Sequence, residues 1–218
     1  MLKFKTLIFI SALIFVVSLS MSCHKEAKCD CNLDSTLIAR VFQSDTSLGK
    51  DAIIESIAPD QNFGNLPMLS VFSWTSNGEF SNARMLIQFD LSSILPQTIV
   101  KKAELLFYWK SYDNLIEQTG ENSFTIYKIT KAWNENTVTW NNQPAITNTD
   151  SVVVTKSHNP EQDYSINVTG LVQDMINNPS NNYGFMCKLN EEYPYHLVIL
   201  ASSEDSNIDK HPKLVVYF

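Results

Sequence analysis

Hydrophobic and polar residues alternate with a period of two along most of this chain. Met85, Ile87 and Phe89 share one side of an extended segment in this way. Because alternation brings every second side chain to one face, the pattern predicts strands with one buried face, separated by turns rich in Asn, Gly, Pro and Ser. The chain is therefore expected to form an all-β antiparallel sandwich. The longest row is Ala103, Leu105, Phe107 and Trp109, and similar patterns cover residues 37–41, 124–129, 151–156, 164–168, 183–189, 195–201 and 213–218.

One segment has a helical period instead. Thr169 can cap a helix of about two turns, which the sequence NNPS at 177–180 would end. We expect this helix to cover an edge or an end of the sandwich. The polar segments 111–122 and 141–150 are predicted to be loops. The apolar stripe of the helix would consist of Leu171, Val172, Met175 and Ile176.

The first residues have the pattern of an export signal. Lys3 and Lys5 precede an almost uninterrupted apolar run, Leu7 to Val17, which is too short to span a bilayer comfortably. The run is followed by LSMSC, ending at Cys23, and this motif resembles the bacterial lipobox, although Met21 stands where a small aliphatic residue is preferred. The resemblance implies cleavage before Cys23 and acylation of its thiol and amine. The alternative is an ordinary secreted protein cut nearby.

These patterns divide the chain into three parts. Residues 1–22 are predicted to be a lipoprotein signal peptide, residues 23–35 a polar tether after the lipidated cysteine, and residues 36–218 one β-sandwich domain. The predicted location is the bacterial cell envelope, with the membrane contacted through the lipid. Which face of the outer membrane the protein occupies stays open.

The charge of the chain limits its partners. The formal net charge is −7, and loss of Lys3 and Lys5 with the signal peptide would make it more negative by those two charges. With no run of Lys or Arg, nucleic acid is excluded as an expected partner. An anionic polymer would need a local lysine cluster, for which Lys101, Lys102 and Lys110 are the candidates.

Catalytic signatures are missing from the sequence. It contains no GxSxG, HExxH, phosphate-binding glycine loop or dinucleotide-binding fingerprint, and its four histidines are scattered. Cys187 alternates with apolar residues in YGFMCKL, which predicts a buried, unreactive thiol. Cys29 and Cys31 lie in the polar tether. We therefore expect a protein that is not an enzyme.

The segment from Trp133 to Ala145, WNENTVTWNNQPA, holds two tryptophans among five amide side chains. A brief strand over 137–140 would put Val138 and Trp140 on one face, toward the core. Trp133 would lie where the preceding strand ends and the chain turns. The segment is thus predicted to be a structural corner and not a sugar platform.

Other aromatic residues are better candidates for stacking on sugar rings. Tyr108, Lys110 and Tyr112 could form a carbohydrate-binding strip on an outer sheet face, and Trp74 also lies near a strand end. The competing interpretation is that outer tyrosines are common in any sandwich.

Several motifs, in order, resemble the DNRLRE, or disaggregatase-related, domain family over Asp51 to Phe218. The most specific are RMLIQFDLS at 84–92, WNENTVTW at 133–140 and NYGF at 182–185. The sequence departs from the family at Ser203 and His211, where arginines are frequent. The resemblance implies a jelly-roll-like antiparallel β-sandwich, grouped in part with carbohydrate-binding modules for acidic glycans such as alginate.

Jelly-roll binding modules often hold calcium, which suggests a structural calcium as a possible cofactor. Asp51, Asp60 and Asn62 would supply suitable oxygen ligands near the first strand of the family pattern.

These observations lead to one preferred function and two rivals. The preferred function is a non-catalytic, envelope-anchored lipoprotein that binds polysaccharide. The first rival is a structural or assembly protein that contacts other envelope proteins without binding sugar, and the second is a polysaccharide-acting enzyme. An exposed aromatic strip would favour polysaccharide binding, and a flat apolar patch would favour the assembly function. A deep cleft with opposed carboxylates would favour the enzyme.

Overall fold

A computed structural model describes residues 37–44, 49–113 and 117–218. The predicted signal peptide, Cys23 and the tether with Cys29 and Cys31 lie outside these residues. Within them, no helix is long and apolar enough to cross a membrane.

The described residues form eleven strands and one α-helix. The strands are β1 (Ala39–Gln43), β2 (Gly49–Glu55), β3 (Met68–Ser76), β4 (Glu79–Phe89), β5 (Lys102–Phe107), β6 (Phe124–Ile129), β7 (Ile146–Val154), β8 (Tyr164–Asn167), β9 (Phe185–Leu189), β10 (His196–Ala201) and β11 (Lys213–Tyr217), and the helix α1 spans Thr169–Asn177.

Two antiparallel sheets make up the sandwich. The smaller has the order β1-β11-β5-β8, and the larger has the order β10-β3-β4-β9-β6-β7, with β2 also pairing with β4. The non-consecutive neighbours show that the chain crosses repeatedly between the sheets, and the expected all-β, jelly-roll-like sandwich is confirmed.

The main core lies on the face of the larger sheet that carries Met85, Ile87 and Phe89, which is called the inner face here. These three side chains are almost fully buried, as are Ala103, Leu105 and Phe107 of the smaller sheet. The alternation in β4 and β5 therefore predicted their buried faces correctly. Cys187, on β9 beside Met85, also belongs to this core, and burial raises the pKa of its thiol.

Helix α1 packs its predicted stripe into the same core. All four residues of the stripe are buried. The predicted cap is wrong in detail, because Thr169 is the first helical residue and the preceding Val168 makes no side-chain cap bond. The Thr169 hydroxyl instead donates to Asn167 Oδ1 at 2.7 Å and accepts from the backbone N–H of Ala103 at 2.9 Å, which ties the helix start to β5.

The sequence patterns were also wrong in β7 and in β1. Strand β7 begins at Ile146, inside the predicted loop 141–150, because polar residues suffice for a strand with an exposed face. In β1, the residue that enters the core is Phe42, whereas Val41 is exposed. In a short strand at a sheet edge, either set of alternate residues can face the core, and the register with β11 determines which set does so in β1.

Candidate functional site

An open notch lies where the inner face of the larger sheet extends beyond the main core. Trp74 of β3 pairs with Ser81 of β4, and Phe72 pairs with Ala83. Directly paired residues point to the same face. Ser81, Ala83 and Met85 are alternate residues of β4 and therefore share one face of the sheet. Trp74, which pairs with Ser81, thus also lies on the inner face. Its side chain is nevertheless 37 % exposed, so the inner face is open to solvent at this end.

The notch combines an apolar floor with a few polar groups. Its volume is about 140 Å³. Glu55, the last residue of β2, points into it from beside Ala83. The hydroxyl of Ser81 donates to Glu55 Oε1 at 2.6 Å and so fixes the carboxylate, whose Oε2 receives no hydrogen bond from the described residues. The residues lining the notch are Glu55, Phe72, Trp74, Thr75, Ser76, Ser81 and Leu197.

Tyr195 lies beside the notch, against Trp74. Its ring meets the Trp74 ring edge to face, with centroids 5.1 Å apart and an interplanar angle of 87°. The Tyr195 side chain is 56 % exposed, and its hydroxyl lies 3.3 Å from Thr75 Oγ1. Exposed aromatic faces beside a fixed carboxylate and hydroxyls suit a small ring with C–H groups on its face and hydroxyls at its edge.

The backbone at Tyr195 is strained. Its φ is +72°, in the left-handed region that bulky side chains rarely adopt. The N–H of Tyr195 donates to Ser73 O at 2.7 Å, which holds the residue against β3. Gly120 packs so closely from the other side that a Cβ there would lie 2.4 Å from Tyr195 O. Strain maintained in this way is frequent at functional sites, where it places a side chain in advance of binding.

The predicted strip of Tyr108, Lys110 and Tyr112 is engaged within the protein. Lys213 Nζ lies 5.2 Å from the centre of the Tyr108 ring, and Tyr112 packs against the main core. Lys110 Nζ forms an ion pair at 2.9 Å with the buried Asp205. Carbohydrate binding by this strip stays a prediction. Lys110 already compensates the charge of the buried Asp205 and would have to leave that ion pair to contact a ligand.

The lysine cluster expected for an anionic ligand is also partly committed. Lys102 Nζ pairs with Glu104 at 2.9 Å, and this pairing lowers the pKa of the Glu104 carboxyl. With Lys110 bound to Asp205, two of the three candidate cations have carboxylate partners.

Two of the predicted calcium ligands, Asp60 and Asn62, have hydrogen-bond partners within the protein. Asn62 donates to Glu135 O and Val138 O, both at 2.7 Å, whereas Asp60 accepts from Asn141 at 2.8 Å. Across the described ranges, no group of three or more His, Cys, Asp or Glu could hold a metal ion. These hydrogen bonds give Asp60 and Asn62 a role without an ion, and calcium binding stays a prediction.

Asp51, the third predicted ligand, is a buried carboxyl group. It accepts hydrogen bonds at 3.0 Å from the hydroxyl of Ser44 and from the N–H of Ser203. Burial, followed by the nearby charge of Glu204, raises its pKa to about 8. Its own N–H donates to Glu135 Oε1 at 2.8 Å, and burial also raises the pKa of Glu135.

The segment 133–145, called the tryptophan corner here, covers the outer face of the larger sheet. It forms turns and not the predicted strand over 137–140. Trp133 and Val138 are buried against Ile54 and Leu86 in a second hydrophobic cluster, with Trp140 packed at its side. The burial of Trp133 and Val138 agrees with the structural role predicted for this segment.

Cations hold both tryptophans of the corner. Lys50 Nζ lies 4.4 Å from the centre of the Trp133 ring, and the indole N–H of Trp133 donates to Tyr183 O at 2.9 Å. The Arg84 guanidinium lies 4.4 Å from the centre of the Trp140 ring. It also donates to both carboxylate oxygens of Glu192, at 2.9 and 3.1 Å, and to Gln143 Oε1 at 2.8 Å. Each tryptophan ring of the corner therefore has a cation of the protein over one of its faces.

Sequence patterns alone pointed to only one residue of the notch. Trp74 was a candidate because it lies near a strand end, but Glu55, Ser81 and Tyr195 were missed. These residues come from three separate parts of the chain, and strand pairing brings them together. The strand pattern that begins at Tyr195 could not reveal its positive φ, because Tyr is not a residue that signals a left-handed turn.

Comparison with known families gives a match over most of the domain. Residues 43–218 match carbohydrate-binding module family 96, and these residues include the notch, the tryptophan corner and all strands after β1. No curated protein matches the chain. The match extends over far more than half of the sequence, and the chain therefore belongs to carbohydrate-binding module family 96.

Proposed function

We propose that this chain is a non-catalytic, lipid-anchored protein of the bacterial cell envelope that binds polysaccharide at the notch. Membership of a carbohydrate-binding family supports the ligand class. The observation that carries the choice of site is the exposed Trp74–Tyr195 pair beside a carboxylate held by Ser81. The finer resemblance to DNRLRE domains, drawn from the motifs at 84–92, 133–140 and 182–185, agrees with this proposal.

Electrophoresis through gels that contain soluble polysaccharide tests binding and site together. The full chain should be retarded by at least one polysaccharide, with a Kd in the micromolar to millimolar range, or roughly −4 to −8 kcal/mol. Trp74→Ala should lose the retardation. Tyr193→Ala is the matched control, because Tyr193 is an exposed aromatic two residues from the notch. Retardation that survives Trp74→Ala would place the site elsewhere.

Turnover is tested in the same preparation. Incubation with each retarding polysaccharide should release no new reducing ends. Release that scales with protein concentration would favour the enzyme interpretation and overturn the non-catalytic part of the proposal.

The anchor is a separate part of the proposal. It rests on the apolar run that ends in LSMSC. Cys23→Ser should block cleavage by the lipoprotein peptidase and move the protein out of the detergent phase. A mature N-terminus without lipid, found by mass spectrometry, would contradict the anchor and leave glycan binding untouched.

A second function, assembly with other envelope proteins, is favoured by the edge of the smaller sheet. Leu37, Ile38 and Val41 are exposed apolar residues at and before β1, which is an edge strand. Such edges can pair with another chain. Cross-linking in whole cells should show a partner contact at Val41 if this function is real, and loss of the contact in Val41→Lys would support it.

A further inference from the structure

We infer that the notch binds a single terminal residue of an uncharged glycan, and not the interior of an anionic chain. This inference rests on the proposed function and adds the charge of the ligand and the way it is presented. Three features of the notch carry it, namely its charge, the angle between its rings and its volume.

The charge of the notch is negative. Among the described residues that line it, Glu55 is the ionisable one, and none is Lys, Arg or His. Arg84, on the neighbouring strand position, points to the opposite face and is paired with Glu192. A uronate or sulfated sugar would bring a second negative charge next to the Glu55 carboxylate without a cation to compensate it. The hydroxyls of a neutral sugar would instead donate to Glu55 Oε2.

The angle between the rings limits how many sugar residues can stack. Two coplanar aromatic rings form a platform on which consecutive sugars of one chain lie flat. Trp74 and Tyr195 are almost perpendicular, and the edge of one ring meets the face of the other. Because the two rings meet at nearly a right angle, one sugar ring can lie on the face of one aromatic ring while the other aromatic ring contacts its edge.

The volume of the notch agrees with one sugar residue. At about 140 Å³ it is well below the roughly 300–1,000 Å³ of sites for larger organic ligands. The paired residues Trp74 and Ser81 line it, and Tyr195 packs against Trp74 beside it. A space of this size accommodates one sugar residue, and the remaining residues of the chain would lie outside it.

Calorimetry of the full chain with oligosaccharides of increasing length tests the mode of binding. Cello-, xylo-, manno- and laminari-oligosaccharides are the neutral probes, and oligogalacturonates and oligoalginates are the anionic ones. At least one neutral series should bind, with a disaccharide and its hexasaccharide within about threefold in Kd. Affinity that rises about tenfold or more between disaccharide and hexasaccharide would overturn terminal recognition and retain the proposed function.

The Glu55→Gln variant tests the charge of the ligand. It should weaken neutral-glycan binding by up to about tenfold, because a neutral amide accepts hydroxyls less strongly than a carboxylate. For an anionic glycan the same change should strengthen binding, so the two cases have opposite signs. Glu79→Gln is the matched control, since it removes the same charge from an exposed position at the start of β4 and should change neutral binding little.

Variants of the aromatic pair connect these results to the notch. Trp74→Ala should weaken the neutral ligand by about tenfold or more, and Tyr193→Ala should leave it unchanged. Binding of anionic probes only, lost in Trp74→Ala, would overturn the inference and retain the proposed function. Neutral binding that is indifferent to Trp74 would overturn the notch as the site. No binding of any probe would overturn both proposals.

Discussion

The notch and the tryptophan corner are two aromatic regions on opposite faces of the same sheet. At the corner, Trp133 is buried, donates its indole N–H to Tyr183 O and lies beside Lys50. At the notch, Trp74 keeps an exposed surface, and its ring neighbour Tyr195 is itself exposed. An aromatic residue whose face and polar edge are both occupied holds the fold, whereas one left half-exposed at a strained position is available for a ligand.

The largest test of this comparison is Trp133→Ala. It should lower the free energy of unfolding by about 3–5 kcal/mol, because it leaves a cavity in the second cluster and removes the hydrogen bond to Tyr183. Urea denaturation followed by circular dichroism measures the change. Trp74→Ala, the matched variant at the notch, should cost less than about 1 kcal/mol. Equal losses in the two variants would contradict the division of roles.

Arg84→Lys is expected to have the next largest effect. Lysine keeps the charge but loses the bidentate contact with Glu192, the bond to Gln143 and the stacking on Trp140. The side chains of Arg84 and Glu192 are 18 % and 27 % exposed, so solvent screens the pair only partly. A loss of about 1–3 kcal/mol in the same assay is expected.

A surface ion pair provides the control for Arg84. Lys102→Ala breaks the more exposed pair with Glu104 and should cost less than about 1 kcal/mol. If Arg84→Lys costs no more than this control, the guanidinium does not hold the corner to the sheet.

The third test uses pH, because β2 carries the buried carboxyl group of Asp51, whose backbone N–H donates to Glu135 of the corner. The pKa of Asp51 is raised to about 8 by burial, so the folded chain binds a proton that the unfolded chain releases near pH 4. This stabilisation is complete below about pH 4 and is lost as the pH rises toward about 8. The raised pKa of Glu135 adds a change of the same sign.

Thermal melts between pH 4 and pH 8 measure this dependence. Asp51→Asn should flatten the decline in melting temperature, because an amide can still accept from Ser44 and Ser203 without titrating. Asp60→Asn, in an exposed loop, is the control and should keep the decline. An unchanged slope in Asp51→Asn would show that other groups control the dependence.

Tyr195→Gly is expected to change stability least among these variants, although it should strongly weaken binding. Glycine adopts a φ of +72° without the penalty of about 1–2 kcal/mol that a side chain incurs there. Stability should stay the same or rise by about 1 kcal/mol, while the neutral ligand is lost. Tyr195→Ala should lose the ligand and keep the strain. A Tyr195→Gly variant that is clearly less stable would indicate that this residue supports the fold.

Much of the fold could be predicted because one-sided burial leaves a period of two in the sequence. The inner residues of β4, β5 and β9 and the stripe of α1 follow this pattern closely. Edge strands such as β7 could not be predicted as well, since their exposed faces carry no hydrophobic pattern. The burial of Trp133 agrees with the predicted structural corner, but the partners of its tryptophans, Lys50 and Arg84, lie about 50 or more residues away and could not be predicted.

The site was harder to predict for a physical reason. Glu55 and Ser81 are unremarkable in the sequence, and only the register of β2 and β4 brings the carboxylate and the hydroxyl together. Lys110, a predicted site residue, is paired with Asp205, which lies 95 positions later and whose burial no local pattern reveals.

The left-handed backbone at Tyr195 has an evolutionary consequence. Among random substitutions at such a position, those that relieve its strain, above all to Gly and then to Asn or Asp, are the most readily retained. A large aromatic can persist there only while selection for its ring outweighs that bias. Among related domains, we therefore expect an aromatic residue at this position where the ligand is still bound. We expect a glycine where the domain no longer binds the ligand.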